Sequence, residues 1–301
     1  GPIVRYIDVA EQLEKRELSY DKFASGAALF ITVLAKKILL ANPAGIIADA
    51  VFGADSPNQI TAWWGILAYH FQIYFDFCGY SDMAVGLGRM FGFEFVKNFN
   101  APYHSISITD FWKRWHISLS TWIMDYLYIP LGGNRLGARR TYLNLLICFM
   151  LSGLWHGAKL TFIAWGAYQA IFLILERFLG KRSLYSSLPK FLQIVATNII
   201  VLFGWVLFRS PDLGQAVHYW KAMLGFNGNA SISLLLQSEL FSFRHIIEMI
   251  ICAIFMWQTV QAHNWIRKLT PVRYAALSVI FLLAVAMMFS QSFNPFLYFQ
   301  F

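Results

Sequence analysis

The chain has 301 residues, of which 58% are hydrophobic and only 13% charged, and its mean hydropathy is +0.52. An ordinary soluble domain carries about 25% charged residues and cannot hide this much apolar surface, so the composition points to a polytopic membrane protein. The net charge of +8 belongs to the loops, where it reports topology rather than nucleic-acid binding.

In chain order, apolar runs fall near 24–42, 61–79, 160–177, 191–208, 246–262 and 272–290. Each approaches the roughly 20 residues that cross a bilayer as a helix. A seventh run, 141–156, is short by a turn or more, so the membrane is expected to be functionally thin where it ends. The runs lack the period-two alternation of a membrane strand, so the fold class is an all-α helical bundle rather than a barrel. Lys and Arg are dense in 1–23, 80–140, 177–190 and 263–273 and sparse in 43–60, 157–160 and 209–245. The positive-inside rule places the first set in the cytoplasm, and the second set and the C-terminus outside. Lys36 and Lys37 interrupt the first run, which is expected to lie obliquely or to line a cavity. The 80–140 stretch is too long and too aromatic for a linker and is expected to form re-entrant and interfacial helices.

Cys78, Cys148 and Cys252 lie in or beside apolar segments and read as small core residues, without metal-ligand spacing or a disulfide framework. The chain begins without Met, signal peptide or charged leader, and Gly1-Pro2 has the look of a tag-cleavage scar. Gly86, Gly88 and Gly92 (GLGRMFG) do not make the dinucleotide fingerprint and read as small residues for close helix packing. Pro130–Asn134 (PLGGN) reads as a turn.

Two histidine motifs carry the chemistry. Residues 107–126 read SITDFWKRWHISLSTWIMDY. Ser107 and Asp110 form a capping-box pattern, and Trp112, Trp115, His116, Leu119, Trp122, Ile123 and Tyr126 follow at helical spacing. The expectation is one amphipathic interfacial helix, with Lys113 and Arg114 pointing away from the aromatic face. Residues 150–157 read MLSGLWHG, placing Ser152, Trp155 and His156 among glycines that permit close approach. A histidine in a soluble core is most often a packed residue satisfied by a carbonyl. At membrane depth an ionisable side chain is by default a functional candidate, with its position to be explained. Asp76 and Asp82, in YFDFCGYSDM, are expected near the cytoplasmic edge of a span, bonding loop amides or pairing with Arg89. His70, His104, His218, His245 and His263 show no partner pattern.

The pair FWKRWHISLSTW and LSGLWHG, preceded by QIYFDFCGYSDMAVGLG and by GPIVRY, resembles the membrane-bound O-acyltransferases, most closely the bacterial polysaccharide-acetylating branch. The likeness is dense over residues 1–180 and loose beyond. It implies an MBOAT-type bundle around a central tunnel, a single membrane domain over 1–301 that forms the C-terminal part of a longer chain. Residues 1–180 would be the catalytic core and 181–301 additional helices. It places the family's invariant histidine on His156 and a second family position on His116.

The function so implied is transfer of an acetyl group from a cytoplasmic donor, acetyl-CoA or another activated thioester, to an extracytoplasmic polysaccharide such as alginate, at the bacterial inner membrane. His156 would be the general base, while His116 orients a substrate or bonds the oxyanion. Trp112, Trp115, Lys113, Arg114, Ser152, Trp155 and Asp82 are the candidate substrate contacts. No bound cofactor and no metal are expected. The lipid bilayer, a periplasmic acetyl-relay protein and the polysaccharide are the expected partners, with no nucleic acid. The rival readings are a transporter or channel using intramembrane histidines, which should show internal repeats, and a haem or metal protein ligated by His116 and His156.

Overall fold

The computed structural model describes residues 1–180, 182–227, 232–258, 260–291 and 296–297. Among these residues the chain is helical throughout, with no strand. A short N-terminal helix, α1 (Tyr6–Glu14), leads into α2 (Tyr20–Lys36). A π-helical turn, Lys37–Ala41, joins α2 directly to α3 (Asn42–Phe52). The long α4 (Gln59–Met90) follows. After it come two short helices, α5 (Ile108–Trp112) and α6 (Ile117–Ile123), and then α7 (Gly137–His156), α8 (Leu160–Phe178) and α9 (Lys190–Arg209). The chain continues through α10 (Leu213–Met223), α11 (Leu234–Leu240), α12 (Phe243–Met256), α13 (Ala262–Trp265) and α14 (Pro271–Ser290).

Among the described residues, three helical segments are both long and apolar enough to cross a membrane: Tyr20–Phe52, Lys190–Arg209 and Pro271–Ser290. The sequence expectation of a connection over 43–60 is corrected. Pro43, which lacks the N–H for a helical bond, falls just after the π-helical turn Lys37–Ala41, where the ladder is already irregular, and the helix carries on to Phe52. The 61–79 run likewise continues to Met90 in α4. The 246–262 run is corrected the other way: α12 ends at Met256 and α13 starts at Ala262. The 141–156 run lies within a longer helix, α7, whose first turn is polar. Gly137 to Arg140 extend α7 to 20 residues, about 30 Å of rise, with Arg139 and Arg140 exposed at its start.

Contacts sort the loops into two ends, and the sorting matches the charge pattern. At one end Ile3 N bonds Ser118 Oγ at 3.0 Å, Gln12 bonds Glu94, and His263 meets Asp82 at 2.8 Å. At the other, Arg209 pairs with Asp49 at 2.6 Å, Gln59 bonds Met223 O and Trp64 bonds Leu240 O. Segments rich in Lys and Arg touch each other, and sparse segments touch each other.

Helix α4 is the centre of the bundle and packs on α2 and α3. The α2–α4 contact depends on two facing glycines. A Cβ on Gly86 would lie 2.8 Å from Gly26 O, and one on Gly26 would lie 2.6 Å from Gly86 O. Neither backbone oxygen can yield, which is the close packing read from the GLGRMFG stretch. Cys78, Cys148 and Cys252 are free and buried, as expected. Pro130–Asn134 lies in a turn.

The 98–123 stretch dips into the bundle as a re-entrant segment. Tyr103, on a 3₁₀ turn, lies 3.8 Å ring to ring from His70 near the middle of α4. Asn198, within α9, donates to Tyr103 O at 3.0 Å. This buried hairpin brings the first histidine motif to the second.

Candidate active site

The single amphipathic helix expected over 107–126 is broken at His116, and the cause is the preceding segment. In a continuous helix Ser118 N would donate to Arg114 O. Here Asn100 N takes Arg114 O at 2.9 Å, while Ser118 N donates instead to Asn98 Oδ1 at 3.0 Å. Ile117 N donates to Asn98 O at 3.0 Å. Residues 98–100 thus intercept both halves of the helical bond. His116 takes a left-handed backbone (φ 47°, ψ 53°) as the cap residue of α6, a conformation uncommon outside glycine that often marks a functional position.

The helical start itself is as the sequence reads: Ser107 Oγ accepts from Asp110 N at 3.0 Å. Asp110 reaches back to Ile106 N at 3.3 Å, and also pairs with Arg114 at 2.8 Å. Sequence reasoning missed the larger anchor. Glu176, buried in α8, accepts from Ile108 N at 2.7 Å and Thr109 N at 2.9 Å, fixing the orphan amides of α5 to the bundle. An acidic residue inside an apolar helix was the available signal.

His156 ends α7, and two neighbours define its position. A Cβ on Gly153 would fall 2.1 Å from Phe162 O, and one on Gly166 would fall 2.1 Å from Phe149 O. Helices α7 and α8 therefore lie backbone to backbone. The His156 ring meets Trp155, Phe208 and Trp165 edge-on at 4.9, 5.2 and 5.6 Å. Phe208 adjoins Arg209, the partner of Asp49, so His156 lies toward the end of the bundle assigned to the outside.

The two motifs, forty residues apart in sequence, converge. Trp155 stands 4.9 Å from the His156 ring and 6.4 Å from the His116 ring. Phe77 packs edge-on against His116 at 4.8 Å. It also lines, with Ile73, Trp115, Trp165, Trp205, Phe208 and Leu297, a narrow recess of about 20 Å³ that holds His156. His116 is 3% exposed, and its Nδ1 lies 3.2 Å from Asn98 Oδ1.

A larger cavity of about 320 Å³ lies alongside, lined by Trp112, Lys113, Leu119, Cys148, Ser152 and Arg177 among others. Trp112 is the partition: it lines this cavity, contacts Trp165 of the recess at 5.7 Å, and donates to Gln169 at 3.3 Å. A third hollow, bordered by Ser107, Asp110, Lys113, Arg114 and Arg177, shares Lys113 and Arg177 with the larger cavity and gives it a basic mouth.

Of the expected contacts, Trp155 lies beside both imidazoles and Trp115 lines the His156 recess, whereas Trp112, Lys113 and Ser152 line the larger cavity and Arg114 only the third hollow. Trp122 and Tyr126 do not: they are exposed, beyond the break. Asp82 lines neither the recess nor the larger cavity. It is buried against Cys78 and His263, with its Oδ1 2.8 Å from His263 Nε2. Arg89 pairs with Glu94 at 2.9 Å rather than with either aspartate. Asp76 instead meets Lys37, which the π-helical turn carries inward, and accepts from Leu297 N at 2.7 Å. Among the described residues no cluster of three His, Cys, Asp or Glu side chains could hold a metal.

Residues 1–210 match the MBOAT, membrane-bound O-acyltransferase, family profile. The chain is 39% identical to a probable alginate O-acetylase AlgI of Pseudomonas putida, over all of this chain and 66% of the relative. It is 48% identical to the corresponding protein of Pseudomonas aeruginosa over 75% of this chain and 43% of the relative. It is 41% identical to a peptidoglycan O-acetyltransferase of Helicobacter pylori over 76% of this chain and 44% of the relative. The chain thus spans between about half and two thirds of the length of these relatives. With the profile covering most of its length and both histidine motifs meeting at one recess, the chain belongs to the membrane-bound O-acyltransferase family.

Proposed function

We propose that the protein transfers an acetyl group from a cytoplasmic thioester donor to a polysaccharide, or to a relay protein that serves it, on the outer side of the bacterial inner membrane. The observation that carries this reading is the closeness of both His116 and His156 to Trp155, with His156 in a recess beside a cavity with a basic mouth. An anionic donor such as acetyl-CoA would meet Lys113 and Arg177, with its thioester arm along the apolar cavity toward Trp112. Arg114, already paired with Asp110, would hold the mouth in shape.

At the recess, His156 takes the proton of an incoming hydroxyl as the oxygen attacks the thioester carbonyl. The tetrahedral intermediate collapses, the carbon–sulfur bond breaks, and the thiolate leaves with the proton returned by the imidazole. General-base help of this kind contributes roughly 10²–10⁴-fold. His116 supports it by orienting a substrate or bonding the oxyanion. The names of the relatives support a polysaccharide acceptor.

The test uses membranes containing the full-length protein, supplied with labelled acetyl-CoA, with ester-linked label followed into extracytoplasmic polymer. Wild type should label the polymer, and His156→Ala, present at equal level, should lose at least 100-fold. A His156→Ala variant that labels at the wild-type rate would refute the base assignment.

A further inference from the structure

The wall of the His156 recess has an unusual origin. Trp165 comes from α8, Trp205 and Phe208 from α9 and Phe77 from α4, all deep in the bundle. Among the described residues that line it, Leu297 alone comes from beyond α14, yet it is 6% exposed. It is held from three directions. Asp76 accepts the Leu297 amide at 2.7 Å. The Lys37 ammonium that pairs with Asp76 lies 5.1 Å over the Phe296 ring, and Tyr80 packs on Phe296 at 5.2 Å. The buried ion pair between Lys37 of the π-helical turn and Asp76 of α4 thus holds Leu297 in the wall of the recess that contains His156.

Resting on the acyltransferase reading, we propose that Leu297 is a specificity-determining residue, the end wall that restricts the transferred group to two carbons. The remaining walls are Ile73, buried in α4, and aromatic rings that interlock, as Trp165 and Phe208 do at 5.0 Å. A longer acyl tail has to displace Leu297 or leave the carbonyl short of His156. Close-packed interiors register even one methylene, and an apolar pocket discriminates one methylene by roughly 10–200-fold. Asp76 is a positioning residue in this scheme, acting on the acyl group only through Leu297.

The experiment supplies membranes of the full-length protein with equal labelled acetyl-CoA and propionyl-CoA and reads the ratio of the two esters formed. Wild type should favour acetyl by at least 10-fold. Leu297→Ala should bring the ratio toward unity by gaining propionyl ester. Leu297→Met, which conserves volume, should keep acetyl preferred, and Asp76→Asn should shift the ratio in the same direction as Leu297→Ala. A Leu297→Ala protein with the wild-type ratio overturns the proposal while leaving the acyltransferase reading intact. A wild type that forms neither ester overturns that reading, and this inference with it.

Discussion

Asn98 Oδ1 accepts from His116 Nδ1 at 3.2 Å, and this contact decides which imidazole nitrogen carries the proton. The same oxygen accepts from Ser118 N at 3.0 Å and Ser118 Oγ at 2.9 Å. A backbone N–H can only donate, so the Asn98 atom is the amide oxygen and not its nitrogen. His116 therefore carries its proton on Nδ1 when neutral, and Nε2 keeps the lone pair. Ser118 Oγ in turn accepts from Ile3 N at 3.0 Å, tying the N-terminal segment into the same network.

Asn98→Ala should release this tautomer. Removing one partner of a buried hydrogen bond costs about 1–3 kcal/mol. If that loss falls on the placement of His116, it corresponds to roughly 5- to 150-fold in rate. The measurement is polymer labelling at matched protein level, alongside the melting temperature in detergent. An unchanged rate in a protein with a lowered melting temperature would leave Asn98 a purely structural residue.

Arg177 and Lys113 share the mouth of the larger cavity and should act on donor capture more than on chemistry. Arg177→Ala is expected to raise KM for an anionic thioester several-fold with little change in kcat, since it removes binding equal in ground and transition states. The effect should shrink as salt rises, because exposed charges are screened over about 10 Å at 0.1 M. A fall in kcat at unchanged KM would place Arg177 at the reacting atoms instead.

Much of this site is legible in the sequence, and the failures have one cause. Ser107 and Asp110 announce the start of α5 because capping is a local interaction. The helix that the spacing extends to Tyr126 stops at His116, because Asn98 and Asn100, from a preceding extended segment, intercept its hydrogen bonds. Glu176 and Gln169 were missed for the same reason: each serves a residue more than fifty positions away. The charge pattern groups the loops as their contacts do, because it needs no knowledge of contacts. The Asp82–His263 and Asp76–Lys37 pairs needed the fold to be visible.

Acid should loosen α1 before it loosens the bundle. Arg5 donates to Asp8 through Nε at 3.1 Å and Nη2 at 2.9 Å, and it also pairs with Asp125. The Arg5 hydrogen bond holds the Asp8 carboxyl below its ordinary range. A depressed carboxylate contributes stability above its unfolded pKa and loses it as pH falls through the folded value. Docking of α1 should therefore be constant from neutral pH down to about pH 5 and fail in more acid solution. Hydrogen exchange of residues 6–14 against pH reports this directly. Asp8→Asn should flatten the profile, and a wild-type profile already flat to pH 3 would remove Asp8 from the account.

The position of His156 depends on how closely α7 and α8 approach, and this gives the sharpest structural test. A Cβ added at Gly153 would lie 2.1 Å from a carbonyl oxygen of α8, and one at Gly166 would lie 2.1 Å from a carbonyl oxygen of α7. These neighbours are backbone, so relief requires the helices to separate. Overpacking of this kind costs about 1–3 kcal/mol or somewhat more. Separation would also draw His156, three residues past Gly153 on the same helix, away from Trp165 and Phe208. Gly153→Ala is thus expected to lower the melting temperature and to reduce kcat, with KM for the donor nearly unchanged. Ala at position 138, exposed at the far end of α7, is the control: Ala138→Ser should alter neither. A Gly153→Ala protein with wild-type kcat would mean that the two backbones can part without moving the imidazole.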